Sequence, residues 1–275
     1  MYNTTTLDFM PLWAVFLATT LLIILATEAG FWLGKRKVAE FKRDESAHVG
    51  GAVAATMGLL AFMLAFTFSS GASRWDTRKE LLLEESNAIG TAFLRADLLP
   101  EPQRTRSRQL LVDYVDAHLA ISEQRSQLTG TDITVQMSEL IARYARDSKN
   151  YHELLWQEAV SAAEQQPSPI TALYVAAVND LVDLLQARVT VTVQQRMPAI
   201  FWCMLFVLAI LAMGLAGYDA GVSRGAHSYM VVVVVAMAFA SVILLVIALD
   251  RPQTSAIRQL PMFEIQADMR AAMEA

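Results

Sequence analysis

SSGASRWDTRKELLLEESNAIGTAFLRADLLP, residues 69–100, is the stretch that decides how this chain is built. It opens as the end of an apolar segment and continues as a charged, amphipathic one. Between Ala72 and Leu99 there is no proline and a single glycine, Gly90, which a long helix tolerates at about 1 kcal/mol. The pattern predicts one continuous helical rod that carries the chain out of a bilayer and into a helical domain. Such a rod would couple events in water to events in lipid.

Working outward, four long segments are nearly free of charge: 12–33, 49–68, 199–218 and 229–249. Each approaches the roughly 20 residues a helix needs to cross a hydrocarbon core of about 30 Å. The fold predicted is therefore all-α, with four transmembrane helices and a long antiparallel helical bundle inserted between the second and third spans. Residues 1–72 would hold an N-terminal tail and the first transmembrane hairpin, and 73–197 an extramembrane four-helix bundle. Residues 198–250 would form the second hairpin and 251–275 a C-terminal tail. The first span is too long for a signal peptide and lacks a basic leader, so it is expected to be retained. The only cysteine, Cys203, lies in the third span, which rules out an intrachain disulfide and a cysteine-based metal site. The net charge of −5 is spread along the chain and gives no reason to expect nucleic acid.

Punctuation divides the bundle. Leu99-Pro100-Glu101-Pro102 ends its first helix, Leu128-Thr129-Gly130-Thr131-Asp132 its second, and Gln166-Pro167-Ser168-Pro169 its third. Ser168 suits an N-cap and Pro169 a first helical position. Apolar stripes of helical period follow: Leu111, Tyr114, His118, Ile121 and Leu128; then Met137, Leu140, Ile141, Tyr144, Tyr151 and Leu155; then Ile170, Leu173, Tyr174, Ala177, Leu181, Leu184 and Leu185. An even number of bundle helices returns the chain to the membrane where it left. After Pro261, Met262, Ile265, Met269 and Met273 share one side of a short amphipathic helix, suited to a membrane surface or to capping the bundle.

The loop after the first span carries Lys35, Arg36, Lys37, Lys42 and Arg43, and the loop between the last two spans carries Arg224. Short basic loops tend to stay in the cytoplasm, which favours an external bundle in a bacterial inner membrane. Arg74, Arg78, Lys79, Arg188, Arg196 and Arg251 flank the spans on the other side and oppose that assignment. Glu28 lies within the first span. It is a candidate intramembrane functional group, set against the plainer reading in which it reaches toward Lys35 and Arg36. In the second span Gly51, Ala54, Gly58, Ala61 and Ala65 recur at helical spacing as a smooth seam. The seam is a candidate for pore lining or subunit contact; ordinary packing within one subunit is the plainer alternative. Phe62, Phe66 and Phe68 lie beside it, as a hydrophobic constriction or as bulk against lipid.

Chemistry-bearing motifs are missing. His48, His118, His152 and His227 are scattered, and no metal-binding, phosphate-binding or nucleophile-elbow pattern occurs. No catalytic residue, metal ligand or cofactor is expected, and the chain is not expected to be an enzyme.

The run Glu85-Ser86-Asn87-Ala88-Ile89-Gly90-Thr91-Ala92-Phe93-Leu94-Arg95-Ala96-Asp97-Leu98-Leu99-Pro100 resembles the bacterial bestrophin-like domain family, as does Leu249-Asp250-Arg251-Pro252 at the end of the last span. The likeness covers roughly residues 48–260 and includes the order of elements; it departs where Gln253 and Thr254 follow the Asp-Arg-Pro. The family motif falls on Glu85, Asn87, Gly90, Thr91, Arg95, Asp250, Arg251 and Pro252. True bestrophins, distant relatives of that family, are homopentameric anion channels whose second membrane helix lines the pore. They keep their helical domain in the cytoplasm, against the charge-based orientation. Glu85 and Arg95 are too far apart on one helix to meet, so each is expected to find a partner on another helix or subunit. Asn87, Gly90 and Thr91 are expected to fix helix register in the bundle. The resemblance and the seam together point to an oligomeric ion channel or channel-like pore lined by the second span, with lipid, copies of itself and a permeating ion as partners. A membrane-anchored sensor or scaffold, whose bundle binds a ligand or partner, is the alternative.

Overall fold

The computed structural model describes residues 10–37, 43–127, 133–191, 197–223, 228–251 and 259–274. Lys42, the break at 128–132, Arg196, Arg224, His227 and Pro252 with its followers Gln253 and Thr254 lie outside the described residues. Those described are all-α. The helices are α1 (Leu12–Lys37), α2 (Arg43–Ala96), α3 (Gln103–Gln127), α4 (Ile133–Gln165), α5 (Pro169–Val189), α6 (Ala199–Val222), α7 (Tyr229–Asp250) and α8 (Leu260–Glu274). They fall into two compact units, residues 10–73 with 197–251 and residues 74–191 with 259–274. Helix α2 contributes its first part to one unit and the remainder to the other.

In the first unit the decisive contact is backbone on backbone. A Cβ added at Gly30 would fall on the carbonyl oxygen of Gly214, and one added at Gly217 on that of Thr27. Gly34 and Gly221 are likewise closed by the facing helix. Contacts advance together along both helices, from Thr27 with Gly217 to Gly34 with Gly221, so α1 and α6 run parallel. Only residues without side chains permit this approach, and in an apolar medium the gain is dispersion rather than water release. Ile23, Met213 and Ala236 form one small core, and Val15, Leu60, Leu64, Trp202, Leu205 and Ile243 belong to a larger one. Buried hydroxyls return to their own helix: Thr27 donates to the Ile23 carbonyl at 2.9 Å and Thr67 to Met63 at 2.8 Å. These hydroxyls are satisfied without water.

In the second unit, cross-helix pairs fix an antiparallel bundle. Gln103 meets Ser161, Tyr114 meets Tyr151, and His118 meets Tyr144, so α3 and α4 run oppositely. Arg188 reaches Tyr144 from α5, and Arg95 on α2 donates to the Leu173 carbonyl. Ser168 caps α5 in a reciprocal capping box with Thr171, and Pro169 sits in its first turn. The core runs through Leu82, Ile89, Phe93, Leu111, Val115, Leu155, Tyr174 and Leu181. Helix α8 is a fifth member of this unit, with Met262 and Met269 buried in the core and Ile265 against it, while Met273 is exposed. Asp116 on α3 accepts from Gln266 and Arg270, which fastens α8 in register.

One expectation needs correction. Ile170 and Leu173, assigned to the inner stripe of α5, are exposed; the helix turns Tyr174, Ala177, Val178 and Leu181 inward instead. The four expected spans are among five helices that, of the described residues, are long and apolar enough to cross a membrane: α1, α2 from Val49 onward, α5, α6 and α7. The extra one is α5, whose outer face is apolar as well as its inner one.

The α1–α6 contact yields a test. Gly217→Ala is expected to lower the thermal midpoint of the detergent-solubilised protein by several degrees or prevent folding, because the methyl group meets a backbone carbonyl that cannot yield. Gly58→Ala, where among the described residues a Cβ would meet nothing within 4 Å, is expected to leave the fold of the single chain intact. Differential scanning fluorimetry of both variants checks this, and equal tolerance would count against the backbone contact.

Candidate functional site

The centre of the bundle holds a carboxylate that water barely reaches. Glu85, on α2, is 1% exposed. Its Oε1 accepts from the Tyr114 hydroxyl at 2.5 Å and from the Tyr144 hydroxyl at 3.3 Å. Its Oε2 is ion-paired with Nη1 of Arg188, and that nitrogen also donates to the Tyr144 oxygen at 3.1 Å. Four helices, α2, α3, α4 and α5, thus supply one group each to a closed network. Burial pushes the Tyr144 phenol up to about 12 and the Tyr114 phenol well above its ordinary value. Both therefore remain protonated donors to the carboxylate.

Two histidines flank this network. His118 stands edge-on to Tyr144, with Nε2 3.1 Å from Oε1 of Gln259. His152 lies against the Tyr114 ring at 5.3 Å. Burial lowers each to about 4, and for His118 the bond to Gln259 opposes the shift without cancelling it. Both are neutral at physiological pH. In the neutral ring, donation from Nε2 to the Gln259 carbonyl oxygen leaves Nδ1 of His118 as an acceptor. A cavity of about 120 Å³ opens beside His118, Tyr144 and Arg188, bordered by the ends of α3 and α5 and the first turns of α4.

On α2, the apolar part divides into two faces. Leu60, Leu64, Thr67 and Gly71 are buried against the chain's own helices. Gly51, Ala54, Gly58, Ala61 and Ala65 are all exposed, and among the described residues no atom comes within 4 Å of a Cβ placed at Gly51 or Gly58. Among the described residues nothing of the same chain packs on the seam: α1 and α6 use other glycines, and the seam faces away. Phe62 and Phe66 occupy the same outward half, at 66% and 52% exposure.

Comparison with known proteins agrees with this architecture. The family model described as Bestrophin-like domain matches residues 11–257. The chain belongs to the Bestrophin-like domain family. Among solved structures, one single-substitution variant of a bacterial bestrophin homologue from Klebsiella pneumoniae superimposes with a TM-score of 0.64 at 16% identity, covering 94% of this chain and 98% of that one. A second variant from the same organism gives 0.62 at 17% identity, covering 95% and 98%. A structure described only as a membrane protein gives 0.64 at 15% identity, covering 94% and 97%. At such identities the likeness concerns the fold. No curated protein matches the chain.

The residues of the bestrophin-like motif separate by role. Glu85 and Arg95 both find partners on other helices, the second at the Leu173 carbonyl 2.9 Å away. Gly90 lies against α8, where a Cβ would come within 2.8 Å of Ile265 Cδ1. Asn87 and Thr91 are exposed and do not set register inside this chain; one turn apart, they share an outward stripe with Leu83, Leu94 and Leu98. Asp250 and Arg251 are both buried. The Asp250 carboxylate accepts from the Met197 backbone N–H at 3.1 Å, and Arg251 Nη1 donates to the Met10 carbonyl at 2.9 Å. Together they fasten the starts of α1 and α6 to the end of α7. Glu28 is half-buried in α1, while Lys35 and Arg36 lie over the rings of Phe31 and Trp32. Sequence reading missed Tyr114, Tyr144 and Arg188 as the partners of Glu85. The available signal was that two tyrosines, a histidine and an arginine fell on apolar stripes or next to them.

The histidines make a stability prediction for this bestrophin-like bundle. Their folded pKa values lie below the unfolded value of 6.5, so the unfolded state binds more protons between the two, and stability falls as pH drops through that window. Each tenfold difference in proton affinity between the two states is worth about 1.4 kcal/mol, so loss of a few kcal/mol is expected from about pH 6.5 down to about 4. Denaturation midpoints followed across this range should fall more steeply in the wild type than in a His118→Gln, His152→Gln variant.

Proposed function

We propose that the chain is one subunit of a homo-oligomeric ion channel, or channel-like pore, in a bacterial inner membrane, lined by the apolar part of α2. The observation that carries this is the outward half of α2. A helix long and apolar enough to span leaves Gly51, Ala54, Gly58, Ala61, Ala65, Phe62 and Phe66 without cover from its own chain. Small residues allow a second copy's backbone close, and phenylalanines on the same half suit a constriction that excludes water. Membership of the family, and solved bestrophin homologues with a similar fold, support the same reading.

The four spans are α1, the first part of α2, α6 and α7. Trp13 and Trp32 support this for α1: both are exposed, and nineteen residues at about 1.5 Å each set them about 28 Å apart, the separation of two aromatic belts. Helix α5 belongs instead to the extramembrane bundle, since Tyr174, Ala177, Val178 and Leu181 face its core and Arg188 closes the Glu85 network. The alternative, a membrane-anchored sensor or scaffold, is favoured by the cavity in the bundle.

Flux distinguishes the two. Reconstituted in liposomes, the wild type is expected to pass ions, and Phe66→Ala to pass them several-fold faster by widening the constriction. Glu28→Gln is expected to alter selectivity or pH dependence if Glu28 borders the permeation path. Absence of flux of anions and of cations in all three proteins would favour the scaffold.

The bundle is assigned to the external side from the basic loop after α1. In a Cys203→Ser background, a cysteine introduced at the exposed Gln166 is expected to react with an impermeant maleimide in intact cells. Reaction only after lysis would place the bundle in the cytoplasm.

A further inference from the structure

A cleft of about 790 Å³ runs between α4 and α5, and none of the four groups of the Glu85 network lines it. Small-molecule sites occupy about 300–1,000 Å³, so its size admits a compact organic ligand. Trp156, Val182 and Leu185 form its apolar side. Trp156 is 42% exposed and Val182 38%, and an apolar body laid on them would take both out of water. Lys149 and Glu153, also in the lining, stand 3.8 Å apart and offset each other. Asp183 accepts from the Asn179 amide through Oδ2 at 3.3 Å and makes no ion pair among the described residues. The described lining therefore has one carboxylate in surplus. His152 belongs to the same lining; it is 4% exposed, and its Nε2 is buried without a hydrogen-bond partner among the described residues. Burial keeps this ring neutral, so it sets no charge against a cation. The side-chain amides of Gln157 and Gln186 complete the polar side and make no hydrogen bond among the described residues.

We propose that this cleft binds an organic monocation of the arylalkylammonium class, with its ammonium group beside Asp183 and its aromatic body on Trp156 and Val182. An indole stacks on an aromatic ring and attracts a cation through its quadrupole, so Trp156 serves both ends of such a molecule. An ammonium carries three donors, which the Asp183 carboxylate and the amide oxygens of Gln157 and Gln186 can accept. An anionic ligand would be repelled by Asp183, and a neutral one would desolvate that carboxylate without pairing it. The cleft lies wholly within the bundle unit, so this binding does not depend on whether α2 lines a pore.

The full-length protein in detergent, titrated calorimetrically, tests the site. The probes are phenethylammonium, hydrocinnamamide and hydrocinnamate, which share an aromatic body and differ in charge. Saturable binding of phenethylammonium is expected, with the amide and the carboxylate at least roughly tenfold weaker. Asp183→Asn is expected to raise its dissociation constant at least roughly tenfold by removing a charge-assisted contact, and Trp156→Leu to raise it several-fold. Asp180→Asn, at an exposed acid outside the described lining, is expected to leave affinity unchanged, which separates the cleft from the general acidity of the chain. All three positions are exposed, and ligand-free thermal midpoints verify that the variants are folded. No saturable binding of phenethylammonium to the wild type would overturn the proposal. So would hydrocinnamamide binding as tightly, unchanged affinity in both folded cleft variants, or an equal loss in Asp180→Asn.

Discussion

One buried ion pair organises the bundle. An ionised carboxylate taken out of water costs several kcal/mol even after relaxation, and the attraction of a partner offsets this only when the remaining lone pairs are also satisfied. Glu85 is satisfied by three groups from three other helices, Tyr114, Tyr144 and Arg188. None of them can slide by a turn without stranding the charge. Register between α2, α3, α4 and α5 is therefore set by electrostatics, and the apolar layers of Ile89, Leu111, Leu155 and Leu181 fill the space that this register defines. At position 188 a single guanidinium nitrogen, Nη1, meets both Glu85 and Tyr144.

The sequence made the apolar spans, the helix breaks and the all-α class legible because each rests on local chemistry: length, proline, capping residues. Ser168 and Pro169 act as their types suggest. The site was half legible. That Glu85 needed a distant partner follows from its place on an amphipathic helix; which partner it takes depends on tertiary register, which no local pattern encodes. Tyr144 and His118 read as ordinary core stripe, and both form part of the polar network. The small-residue pattern misled in an instructive way. Spacing shows that a backbone can approach closely but not which backbone does, and two such series occur. The one at Gly30, Gly34, Gly217 and Gly221 closes α1 on α6 inside the chain. The more conspicuous one on α2 is left open.

That openness bears on how α2 is used along its whole length. A transmembrane helix in a monomer gains nothing by concentrating its glycines and alanines on the lipid side, because small side chains there forfeit dispersion contacts with acyl chains. Among the described residues Gly51 and Gly58 meet nothing within 4 Å, while bulky Leu60 and Leu64 are spent inward. In the bundle part the arrangement recurs with different residues. Leu83, Leu94 and Leu98 are exposed at about half or more of their surface, interleaved with Asn87 and Thr91. Apolar anchors spaced by amides and hydroxyls resemble an interface more than a solvated face, which would favour lysine and glutamate.

The family motif then has a consistent logic. Of its residues on α2, Glu85 and Gly90 look inward, one to the ion pair and the other to α8, and Arg95 reaches α5. Asn87 and Thr91 look outward. A stretch that served only the fold of one chain would have no use for a fixed polar pair on its exposed side, since solvent accepts almost any hydrophilic residue there. A stretch that must fold one chain and meet a second has a requirement on each face. An amide and a hydroxyl one turn apart can each donate and accept, so both can be paired when covered by an identical face or by a different one. Asp250 and Arg251 answer the corresponding need at the other end of the sequence. By holding the Met197 N–H and the Met10 carbonyl, they fix where α1 and α6 begin. The glycine contact between those helices tolerates little displacement, so a slip of their ends would separate Gly30 from Gly214. The buried pair thereby holds the span packing in register, as Glu85 holds the bundle.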